Sequence, residues 1–91
     1  MEKITLNFSN CQYISHIYKE IKTKFDLPEN YGENFDALWD SLRWYSFDLT
    51  EITIIGFDNL IDKFDDYAYK IKKIFNDVTD ENKNMIFKYV K

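Results

Sequence analysis

The chain has 91 residues, 45% of them hydrophobic and 19% aromatic, with two Gly, one Pro, one Cys and one His, and a formal charge of -4. That length admits one domain, residues 1–91, whose bulky side chains can close a core without cross-links, and Cys11 with His16 supplies too few ligands for a disulfide or a Cys/His metal centre. No basic segment followed by an apolar run opens the chain and no apolar run is long enough to span a bilayer, so the expectation is a cytosolic, reduced protein with no cofactor.

Lys3 to Phe8 alternates, with Ile4, Leu6 and Phe8 on one side and Thr5 and Asn7 on the other, which predicts a first strand ended by Ser9 and Asn10. From Tyr13 to Phe25 the apolar residues Ile14, Ile17, Tyr18, Ile21 and Phe25 recur at helical spacing, and Pro28 stops the helix by Asp26 or Leu27. Pro28 to Glu33 is a polar loop whose Gly32 supplies a positive φ or room for close approach. Asn34 is placed to N-cap a second helix running to Arg43, with Asp36 in its first turn favoured by the helix dipole. At 100° per residue, Phe35, Leu38 and Leu42 face the core, Asp36, Asp40 and Arg43 share an adjoining arc, and Trp39 lies between the two.

Glu51 to Gly56 is a β-branched run suited to a buried strand. Phe57 to Phe64 predicts a short helix capped by Asp58. Asp65 or Asp66 to Thr79 forms a longer helix on Tyr67, Ile71, Ile74, Phe75 and Val78, and Asn84 to Val90 a last strand. Strands alternating with helices imply a parallel α/β sheet. Right-handed crossovers with strands laid down in the order 1-2-3 put every helix on one face of a two-layer, three-stranded domain.

The negative charge is concentrated. Pro28 to Glu51 holds six acids, Glu29, Glu33, Asp36, Asp40, Asp48 and Glu51, against the single base Arg43, a local charge of -5. A patch of that sign excludes nucleic acid as a direct partner and attracts a basic protein surface or a cation. Three other chemistries are available to the chain, and each lacks a necessary part. Cys11 near His16 lacks a group to orient the pair and a loop to stabilise an oxyanion, and His16 lies on the solvated side of its helix. Asp36 and Asp40, one turn apart, sit on a convex helix that encloses no cleft. A small metal-dependent enzyme using Glu29, Glu33, Asp36 and Asp40 would need the alternating oxygen ligands of a calcium loop, which this spacing lacks. Neither a solvated face nor a cation site accounts for Tyr31, Trp39, Trp44 and Tyr45 in the same stretch, whereas acids among aromatics make a protein-binding surface.

Leu27 to Leu42, LPENYGENFDALWDSL, resembles the barstar family of intracellular ribonuclease inhibitors in its LPE, YGEN and DALWD segments. The resemblance implies a small parallel sheet packed with helices and a function without catalysis: loop and helix plug the basic active site of a small secreted or toxin-type ribonuclease. By the same resemblance Asp40 is the central acid, standing where a substrate phosphate would sit, and Asp36 pairs with a second arginine. Asn34 and Gly32 make polar contacts, Tyr31 and Trp39 support and border the acids, and Asp77 stands where the family carries an inhibitory glutamate. Asn30 stands where the family often has a tyrosine, Arg43 adds a positive charge to the face, and Trp44 with Tyr45 replaces a small residue followed by tryptophan. The implied protein is a cytosolic inhibitor, monomeric when free, that touches neither membrane nor nucleic acid. The alternative is a binding module of the same fold aimed at another basic toxin or enzyme.

Overall fold

Alternating burial along three strands decides where the helices sit. The computed structural model describes residues 1–28, 32–45 and 48–90. Its elements run β1 (Glu2–Asn7), α1 (Ile14–Phe25), α2 (Phe35–Arg43), β2 (Thr50–Ile55), α3 (Phe57–Phe64), α4 (Asp66–Glu81) and β3 (Met85–Val90). The strands form one parallel sheet in the order β1-β2-β3, with Ile52 between Ile4 and Phe87 and Ile54 between Leu6 and Tyr89. Ile4, Leu6, Ile52, Ile54 and Met85 are buried while Lys3, Thr5, Ile86 and Lys88 are exposed, so the helices cover one face and the other is open. The two-layer α/β fold expected from the sequence is the fold observed.

Helical stripes fill that layer with Ile17, Tyr18, Ile21 and Phe25 from α1, Leu38 and Leu42 from α2, Phe57 and Leu60 from α3, and Ala68, Ile71, Phe75 and Val78 from α4. Ile14, expected in the first stripe, is the first residue of α1 and is exposed. The free edge of β1 is closed by α1: Asn7 N donates to Glu20 Oε2 at 2.8 Å, and Lys24 Nζ donates to Thr5 O at 3.2 Å. This blocks the unpaired groups that would otherwise recruit another strand.

Two helix termini differ from expectation. α1 ends at Phe25 with Asp26 in the left-handed region (φ 54), and Leu27 N donates to Lys22 O at 2.9 Å and Asp26 N to Thr23 O at 3.4 Å, the paired bonds of a Schellman motif. Pro28 therefore follows a stop the backbone has already made. α3 is not capped by Asp58, which lies in the first turn without a capping bond; its cap is Gly56, at φ 77. Gly56, expected to end a strand, is instead the joint between β2 and α3, because there the chain must turn against the backbone of Ser9.

A Cβ on Gly56 would lie 2.6 Å from Ser9 N, at a φ that side chains rarely adopt. Gly56→Ala is expected to cost about 1–3 kcal/mol from backbone strain alone. Asp26→Gly, which relieves a left-handed residue, is expected to be neutral or stabilising. Urea denaturation of both variants checks the pair, and a Gly56→Ala protein as stable as the parent would contradict this geometry.

Candidate functional site

α2 is short, nine residues, so its position is set by capping and packing rather than by propensity. Asn34 Oδ1 accepts from Ala37 N at 2.8 Å, the N-cap expected from the sequence. Gly32 does not take a positive φ; what it provides is room, since a Cβ there would lie 3.0 Å from Asn34 Nδ2 and 3.3 Å from Ala37 Cβ. Gly32 thus packs closely against the capped first turn, where a side chain would crowd Asn34 and Ala37. At the other end Asn82, the C-cap of α4, donates through Nδ2 to Arg43 O at 3.3 Å and ties the two helices together.

With Leu38 and Leu42 fully buried and Phe35 packed on Tyr67 at 4.8 Å between centroids, the opposite arc of α2 is turned outward. Asp36 and Asp40 are exposed on it, Asp40 with 69% of its side chain accessible. Trp39 is half-buried against the core beside them, and Trp44, at the C-cap, is 62% exposed. Arg43 lies among all three: its Nη2 is 3.6 Å from Asp40 Oδ1, and its Cζ stands over the Trp39 ring at 5.4 Å and the Trp44 ring at 5.1 Å. Asp36, Trp39, Asp40, Arg43 and Trp44 therefore form one continuous face.

Other expected members are placed differently. Tyr45 turns away from this face, its ring edge-on to Phe25 at 4.8 Å and its hydroxyl donating to Glu2 Oε1 at 2.8 Å, so it is a strut between the end of α2 and the start of β1. Asp77 lies on α4 and is engaged by Lys73 Nζ at 2.8 Å; helical spacing puts it on the flank next to the stripe that carries Ile74 and Tyr67, the latter packed on Phe35 of α2. That hydrogen bond with Asp77 holds the Lys73 ammonium above its ordinary pKa. Glu51 leaves the acidic patch altogether: it projects from the open side of β2 and pairs with Lys88 Nζ at 3.2 Å. Asn30 and Tyr31, and with them Glu29, lie outside the described residues.

The same geometry bears on the rival chemistries. Cys11 is buried, and burial with the charge of Glu20 pushes its thiol up, the reverse of an activated nucleophile. His16 Nδ1 accepts from Gln12 N at 3.1 Å, in a shallow polar pocket that Cys11 and Glu20 also line. Among the described residues no three His, Cys, Asp or Glu side chains are grouped to hold a metal ion. No helix among them is long and apolar enough to cross a membrane.

The pattern of the family described as Barstar (barnase inhibitor) matches residues 1–90. The chain belongs to the barstar family. Among curated proteins it is 29% identical over 85 residues to the putative ribonuclease inhibitor YrdF of Bacillus subtilis (strain 168), an alignment covering 92% of each chain. Membership of the barstar family agrees with the small parallel sheet packed with helices. The sequence did not reveal the strut made by Tyr45 or the loss of Glu51 to Lys88, since both depend on partners 20 or more residues away.

Burial, followed by the hydrogen bond and negative charge of Glu2, pushes the Tyr45 hydroxyl up to about 12. Since a free tyrosine titrates near 10, the folded state keeps a proton that the unfolded state releases. The resulting stability is fully present below pH 10 and is lost as the pH rises towards 12. Tyr45→Phe is expected to make that loss shallower when melting temperature is followed from pH 9 to 12. Superimposable curves for parent and variant would contradict the strut.

Proposed function

We propose that the chain inhibits a ribonuclease by laying the outward arc of α2, with the loop before it, over the enzyme's basic substrate groove. The observation that carries this reading is the pair of exposed carboxylates, Asp36 and Asp40, one turn apart beside Trp39 on a helix whose rotation is fixed by capping and burial. A groove that binds an RNA backbone presents cationic side chains at phosphate spacing, and fixed carboxylates meet them without the ordering cost of a flexible acid. Asp40 takes the place of a phosphate against the catalytic cations, and Asp36 meets a further one. Trp39 and Trp44 exclude water around the pairs and so strengthen them. Asp77 adds a carboxylate from α4 at the edge of the footprint, and Asn34 and Gly32 shape its loop side.

Chemistry at the face is not part of this function, since occupying the groove is enough to keep RNA out. The inhibitor acts in the cytoplasm as a monomer and protects its cell from a secreted or toxin-type nuclease, which remains free to act elsewhere.

Barnase, the enzyme in the family's description, is the direct probe. In a steady-state RNA cleavage assay the parent protein is expected to inhibit stoichiometrically and Asp40→Ala to lose most of that inhibition while melting at the parent temperature. Removing one member of a buried interfacial charge pair costs about 2–5 kcal/mol or more, a range to which this family's best-known complex itself contributes. A folded Asp40→Ala protein that inhibits as well as the parent would overturn the site. Association followed by stopped flow should slow steeply as added salt shortens the Debye length to about 8 Å at physiological strength. A flat salt dependence would mean that the acids do not steer the encounter.

A further inference from the structure

Arg43 is the residue of this face that an acidic knob leaves unexplained. Its Nε is buried and has no hydrogen-bond partner. Its Nη2 approaches Asp40 Oδ1 only to 3.6 Å, beyond hydrogen-bond distance, and a third of the side chain stays accessible. A guanidinium free to swing into water would hydrate all five of its N–H groups. Here one is orphaned, and the side chain is kept in place by the rings of Trp39 and Trp44. The orphaned donor costs the free protein stability, whereas an interface can use a donor fork that is already positioned.

The position also constrains the partner. Any cation that comes to Asp40 comes close to Arg43 as well, and two like charges brought together out of water oppose binding. The repulsion disappears if the same target carries an anion within reach of the fork. Planar, bidentate donors match a carboxylate, and in a protein target a carboxylate is the side-chain anion available. We propose that Arg43 is a specificity-determining residue, a preset fork for a carboxylate on the rim of the target's basic groove; the inference rests on the ribonuclease-inhibitor reading. A target with the basic groove but without that rim acid is penalised, so Arg43 selects among nucleases that Asp36 and Asp40 alone would not separate.

The test is a set of double-mutant cycles read by stopped-flow association and dissociation. Barnase serves as probe, together with barnase variants in which single carboxylates around the groove are changed to amides. The inhibitor is used as the parent, Arg43→Gln and Arg43→Lys, each checked for an unchanged fold by circular dichroism. One nuclease amide variant is expected to speed dissociation of the parent at least tenfold and to leave that of Arg43→Gln unchanged. Arg43→Lys should behave as Arg43→Gln, because lysine restores the charge and not the fork. Independent effects at every rim carboxylate, or an Arg43→Lys protein equal to the parent, would overturn the inference while the ribonuclease reading stands. If the parent leaves barnase untouched and Arg43→Gln inhibits it, exclusion of a target lacking the acid supports the inference. If neither inhibits, the ribonuclease reading falls and the inference with it.

Discussion

The burial of Leu38 and Leu42 fixes the rotation of α2 about its axis, and the whole outward face of that helix depends on it. Both side chains are wholly inaccessible to solvent. A nine-residue helix has little stability alone, so its orientation comes from these two anchors, from Phe35 against Tyr67, and from the fastenings at its ends, Asn34 on Ala37 N and Asn82 on Arg43 O. Rotating the helix by one residue would exchange acids for leucines on the outside, at a burial cost of about 1.5–3 kcal/mol for each leucine exposed. The carboxylates are consequently presented on a rigid element, as the proposed inhibition requires.

The structure narrows the acidic field that the sequence describes. A local charge of -5 over Pro28 to Glu51 counts residues by position along the chain, but the fold sends Glu51 to the open side of the sheet, where Lys88 offsets it. Asp36 and Asp40 carry the field of α2, and Arg43 sits inside it rather than beside it. The face is therefore a pattern of two acids, one cation and two indoles. A pattern of both signs discriminates among partners better than a uniformly negative patch, because a wrong partner meets repulsion as well as missing attraction.

Much of this was legible in the sequence because local signals agreed with one another. Apolar spacing set the phase of α2 and placed Phe35, Leu38 and Leu42 inward, Asn34 announced its cap, and each strand appeared within a residue or two of its observed limits. What was not legible depends on distant partners. Gly32 and Gly56 look alike in sequence, yet only Gly56 takes a positive φ, because it alone must pass the backbone of Ser9. Asp58 has the chemistry of a cap, but the turn that precedes α3 places the cap two residues earlier. Tyr45 follows Trp44 directly and could be read as its neighbour on the face, whereas Phe25 and Glu2 draw it to the opposite side.

The proposed inhibition requires that the outward arc of α2 be the surface that meets the nuclease. Amide hydrogen exchange of the chain, free and in a one-to-one complex with barnase, tests this most directly, since it maps the footprint without substitutions. Added protection is expected from Gly32 to Trp44 and at the flank of α4 around Asp77, with little change on α1 or along the edge of β1. Protection confined to α1, or to the open side of the sheet, would contradict it.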